Sequence, residues 1–232
     1  MGGAERRTVT PMARRSPPPA PRPAEAPLPA EITWRPAAFA RALAPTEPAL
    51  TRYLAAPGVA ALLSGVAYAL LVRPAVNLAA PGSFTFSTHL TNVMGGVFLG
   101  LFAYLIQWGL GYVATRRAGR PAEVYAATHT LTIPLYLLVA VLAVLAPAPV
   151  VPPGTPETGV ERAALHVLAG GATATLYTAV AVLGTVAQAA LAFVAFRTLT
   201  GSVGRALAGA LLPLLPAAAV QFINAAPLFF NR

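Results

Sequence analysis

Five stretches of this chain run for twenty residues or longer without a charged side chain: 53–72, 74–115, 124–156, 163–196 and 206–231. A bilayer's hydrocarbon core is about 30 Å thick and a helix rises about 1.5 Å per residue, so roughly 20 apolar residues make one crossing. A soluble core can hide one such run but not five in 232 residues. None of the runs alternates polar and apolar residues as a membrane β-strand does. Charged residues make up only 10% of the chain, against about 25% in soluble domains. Mean hydropathy is +0.66. The pattern predicts an all-α, polytopic membrane helix bundle.

Polar residues and turn formers set the span limits. Between Asn77 and Asn92 the second run turns polar and is broken by Pro81-Gly82, so it holds one span, 91–115. Prolines over 147–156 end the third span near 145. The predicted transmembrane domain, 53–232, therefore has spans at 53–72, 91–115, 125–145, 167–196 and 206–228.

Ahead of it, residues 1–30 carry Arg6, Arg7, Arg14, Arg15 and Arg22 and eight prolines between Pro11 and Pro29. They contain no apolar stretch of the kind a secretory signal requires. A tail so poor in apolar surface is expected to stay disordered, with its prolines favouring extended conformations. Residues 31–52 interleave Ile32, Trp34, Phe39, Leu43 and Leu50 with Arg35, Arg41 and Arg52. That mixture predicts an interfacial segment lying along the membrane surface, in short helical pieces set by Pro36, Pro45 and Pro48.

All sixteen basic residues are Arg and all seven acids are Glu. The sequence pI is near 11, which in a soluble protein would suggest a nucleic-acid partner. Here the arginines sit at the edges of the apolar runs and in the tail, so their partner is the bilayer. With five spans, thirteen arginines share the side of the tail and the loops at 116–123 and 197–205. Only Arg73, Arg162 and Arg232 fall opposite. The positive-inside rule then predicts a cytoplasmic amino terminus and an external carboxyl terminus.

Chemistry is sparse. There is no cysteine, which excludes disulfides, thiolate metal sites and cysteine nucleophiles. No phosphate-binding glycine loop, Ser/His/Asp set or zinc-protease motif is present, so neither enzyme activity nor a cofactor is expected. His89 and His166 fall near one surface without a third ligand, too few for a metal site. No acid, lysine or arginine lies inside a predicted span. The polar intramembrane candidates are Asn92, Gln107, His129, Gln188 and Asn224, with Gln221 beside the last. Such residues either bond between helices or line a solute pathway.

Small residues mark helix contacts. Gly96-Val97-Phe98-Leu99-Gly100 is a GxxxG step, extended by Gly95, Gly109 and Gly111. Gly65 with Ala69, and Gly170 with Ala174, repeat the spacing. Small faces let backbones approach closely, which predicts either packing within the chain or a homo-oligomer face.

From about residue 50 to 225 the order of features resembles the Yip family of five-span membrane proteins, in its bacterial form. The carrying stretches are Gly95-Gly96 through Arg116-Arg117-Ala118-Gly119-Arg120, then Tyr125 to Pro134. Leu199-Thr200-Gly201 follows, leading into Gly204-Arg205-Ala206-Leu207 and Pro213. The resemblance implies a five-helix bundle with a cytoplasmic amino terminus. It also implies a non-catalytic scaffold, adaptor or accessory subunit rather than an enzyme. Eukaryotic members are linked to small GTPases, but the acidic Tyr-Gly-Pro segment of their tails has no counterpart here. Exclusive use of Arg and Glu with an Ala/Pro/Gly bias points to a bacterial gene and an inner-membrane location. The alternative expectation is a small permease component using the polar residues named above.

Overall fold

The computed structural model describes residues 25–79, 85–147, 150–151, 153–154, 156 and 159–216. Among them, all regular structure is helical. A short 3-10 turn (Pro29–Thr33) precedes α1 (Pro36–Leu43), α2 (Leu50–Tyr53), α3 (Ala55–Ala79) and α4 (Phe86–Thr115). There follow α5 (Pro121–Thr128), α6 (Thr132–Leu145), α7 (Val160–Ala169), α8 (Ala172–Thr200) and α9 (Val203–Leu211). Four described stretches are long and apolar enough to cross a membrane: Leu50–Leu78, Phe86–Thr115, Arg117–Leu145 and Ala172–Thr200. The chain is an all-α membrane helix bundle. Of the fifth predicted span, α9 and the residues to Pro216 are described. The remainder, with Gln221 and Asn224, lies outside the described residues, as does the predicted tail over 1–24.

Local chemistry sets the boundaries. Thr85 begins α4, its hydroxyl accepting from the Thr88 N–H at 3.3 Å, and the Ser202 hydroxyl accepts from Arg205 at the start of α9. Pro36 and Pro121 open α1 and α5, where a missing N–H costs nothing. Gly201, at φ 64°, closes α8 in the left-handed conformation.

All four described spans depart from their predicted limits, the second by beginning at Phe86 rather than 91. The first extends beyond 72: Arg73 is exposed at the bundle's edge and α3 continues through it to Ala79. The third is not one continuous α-helix, because His129–Leu131 tightens to 3-10 geometry. The hydroxyls of Thr128, Thr130 and Thr132 donate to the carbonyls of Tyr125, Ala127 and His129, each three residues back. That pattern competes with the α-helical ladder, and Pro134 withholds a further N–H. The fourth span begins at Ala172 rather than 167, since Gly170-Gly171 separates the shorter α7 from α8.

α3 and α4 form the closest pair in the bundle. Gly65 and Ala61 on α3 meet Gly96 and Gly100 on α4: a Cβ added to Gly65 would lie 2.5 Å from the Val93 carbonyl oxygen, and one on Gly100 would lie 2.7 Å from Ala61 Cβ. The opposite face of α4 exposes Met94, Phe98, Leu99, Phe102 and Leu105, the surface expected to meet lipid tails.

The segment over 31–52 packs onto the bundle. Ile32, Phe39, Ala40 and Leu43 are fully buried against Val124, Tyr125, Ala192, Ala195 and Phe196, so the segment caps one end of the bundle. Burial against protein removes this apolar surface from water as a lipid interface would, and adds shape complementarity. Trp34 alone among its aromatic residues is exposed. Tyr53 at the end of the cap is also fully buried, its ring edge-on to Phe39 and its hydroxyl donating to the Pro27 carbonyl at 2.9 Å.

Candidate functional site: a polar cluster beneath a folded cap

Three of the polar residues singled out in the sequence converge. Gln107 on α4 donates through Nε2 to Gln188 Oε1 on α8, at 3.3 Å. Its own Oε1 lies 3.2 Å from Nε2 of His129, in the 3-10 break between α5 and α6. An amide oxygen only accepts, so His129 Nε2 is the donor in this arrangement. The chain of donors therefore runs His129 to Gln107 to Gln188. Gln107 and Gln188 are 7% and 3% exposed, deep enough that an unmade hydrogen bond would be costly. The Tyr104 ring stands edge-on to the His129 imidazole at 5.9 Å, with its hydroxyl donating to the Ala122 carbonyl.

Gln107, His129 and Gln188 together line a half-open cavity of about 100 Å³. Ala60, Ala61, Gly100 and Ala181 give it an apolar wall, and Ser64, Thr132, Tyr136, Thr185 and Gln188 supply hydroxyls and an amide. Ser64 and Tyr177 are hydrogen-bonded at 3.2 Å on the side away from His129.

The cap above the cluster is pinned by Arg120. Its Nη1 donates to the carbonyls of Leu43 (2.6 Å) and Thr46 (2.8 Å) and to the Thr46 hydroxyl. Its Nη2 donates to the Glu47 carbonyl and to Glu123, 2.8 Å away. Among the described residues this is the one salt bridge, and both side chains are at most a tenth exposed. The planar fork of guanidinium donors suits a site where several carbonyls end in one place, here where the α1 helix stops. Around it, Arg35, Arg41, Arg52, Arg116, Arg117, Arg197 and Arg205 are exposed, making an arginine-rich end.

Beside the cap, the Tyr125 hydroxyl donates to the Gly209 carbonyl on α9 at 2.7 Å. In an α-helix that carbonyl would accept from the residue four positions on, which is Pro213 and has no N–H. Tyr125 supplies the donor that the proline lacks.

Other candidates stand apart. Asn92 bonds the Thr88 carbonyl of its own helix and sits 15 residues from Gln107, about 22 Å along α4. Gly95 and Gly109 have open space where a Cβ would project, so among the described residues only Gly96 and Gly100 of the four glycines pack against another helix. His89 and His166 join no cluster of three or more metal-ligating side chains among the described residues. In the sequence, Arg120 and Tyr125 stand only in a basic loop and at the start of a helix, with nothing to mark their roles in fastening the cap and α9. In comparisons with known proteins, the chain matches no family model, no curated protein and no solved structure.

Proposed function

We propose that this protein is a Yip-like, non-catalytic scaffold or accessory subunit of a bacterial inner-membrane assembly, with its arginine-rich end in the cytoplasm. The observation that carries this reading is the cap. Residues 29–53 are folded into the end of the bundle and pinned there by Arg120. They close that end over the polar cluster and leave seven arginines facing outward. A closed, cationic face suits docking of an acidic protein surface or anionic headgroups better than passage of a solute. The arginine bias supports the orientation by the positive-inside rule.

The test uses the full chain, extracted in mild detergent after cross-linking in the membrane. A scaffold yields a discrete, stoichiometric complex that dissociates when Arg41, Arg52 and Arg197 are changed to Glu, while the bundle's melting profile is unchanged. The competing reading, a small permease component, draws on the polar cavity. Solute flux into proteoliposomes that disappears in His129→Leu, with assembly intact, would establish it and overturn the scaffold.

A further inference from the structure

Gln188 is 97% buried, and its Nε2 finds no acceptor among the described protein groups. The amide cannot simply be turned around: with His129 as donor to Gln107, rotation of Gln188 would set two NH₂ groups against each other. Its free donor therefore belongs to the cavity that Gln188 lines.

Two of the hydroxyls that line the cavity have the opposite character. Thr185 donates its hydroxyl proton to the Ala181 carbonyl (2.7 Å), and Thr132 donates to the His129 carbonyl (3.0 Å). Both hydroxyls are left with lone pairs only. No charged side chain lines the space. The complement to one amide donor and two hydroxyl acceptors is an uncharged molecule that both accepts and donates. At about 30 Å³ per water, a volume of about 100 Å³ holds roughly three waters, and the lining supplies polar partners for them.

We propose that this cavity is an internal hydration site. Its waters accept from Gln188, donate to Thr185 and Thr132, and reach the hydrogen-bonded pair Ser64 and Tyr177 on the far side. They thereby join two separate groups into one chain, from His129 through Gln107 and Gln188 to Tyr177. Gln188 and Tyr177 are eleven residues apart on α8, so this polar track runs about 16 Å along the bundle, half the thickness of a hydrocarbon core. The site stands whether or not the scaffold reading holds, because it rests on the donors and acceptors of the cavity alone.

Radiolytic hydroxyl labelling reads it directly, since radicals formed from a bound water attack the side chains beside it. The full chain is placed in phospholipid nanodiscs, irradiated briefly with X-rays, and mapped by mass spectrometry. Tyr136 lines the cavity, whereas the buried Tyr125 is bonded to Gly209 and serves as an internal reference of identical intrinsic reactivity. Tyr136 is expected to label several-fold faster than Tyr125, and to fall toward it in Gln188→Leu. Thr185→Val gives the same fall without disturbing the Gln107 contact, so the result does not depend on one variant folding. Equal labelling of the two tyrosines in the unaltered protein overturns the proposal. So does a Tyr136 rate indifferent to both substitutions in folded protein.

Discussion

Gly65 and Gly96 face each other across the α3–α4 contact so closely that a methyl group on Gly96 would fall on the Cα of Gly65. At this point neither helix has room for a side chain. Gly96→Ala is expected to separate the helices and destabilise the bundle by about 1–3 kcal/mol, the usual cost of overpacking. Gly95→Ala, one position along, projects into open space and should stay within about 0.5 kcal/mol of the unaltered protein. Thermal melts in detergent distinguish them; equal effects would mean that the contact is not the limiting one.

Arg120 links the cap to the bundle through four acceptors, and it covers the buried carboxylate of Glu123. Arg120→Ala removes the donors and strands that charge, a change that costs about 3–5 kcal/mol at buried pairs. Arg120→Lys should recover only part of the loss, since an ammonium cannot fork between Leu43, Thr46 and Glu47. Hydrogen exchange is the measurement: amides over 36–53 should lose protection in Arg120→Ala while those of α8 keep it.

The bond from Tyr125 to Gly209 predicts a coupling between two positions far apart in sequence. Tyr125→Phe leaves a buried carbonyl without a donor, at about 1–3 kcal/mol. Pro213→Ala restores a main-chain N–H four residues beyond Gly209, so the same tyrosine change should then cost clearly less. A double-mutant cycle on melting stability measures this coupling, and strict additivity would refute it.

Arg116 ends α4 at φ 56° and ψ −157°, a region that is nearly glycine's own. Its side chain is exposed. Arg116→Gly should therefore stabilise the folded protein by about 1 kcal/mol or more, despite the greater freedom glycine gives the unfolded chain. A higher melting temperature is the expected result.

Fold class was legible because a bilayer imposes one rule, a long stretch without charge, which composition cannot disguise. The depth of the polar cluster was also written in the chain. Gln107 lies nine residues before Arg116, Gln188 nine before Arg197, and His129 nine after Arg120. Equal spacing from the arginine-rich end puts all three at one level, about 13 Å in. That they face one another depends on helix rotation, which the nearly uniform hydrophobicity of these spans does not encode. The break at His129 was hidden for a different reason: it arises from three threonine hydroxyls choosing carbonyls three residues back, a matter of geometry rather than composition. The packing of the cap against α5 and α8 was not legible, because Ile32, Phe39 and Leu43 suit a lipid interface and a protein groove equally well.

The cap also imposes an order on biosynthesis. Ile32, Phe39 and Leu43 leave the ribosome early, yet the surfaces that bury them, on α5 and α8, are made up to about 150 residues later. At roughly 5–20 residues per second that interval is on the order of ten seconds. Until then the segment lacks the α8 part of the surface that buries it. A segment translated early thus reaches its place late, once α8 has been made to receive it.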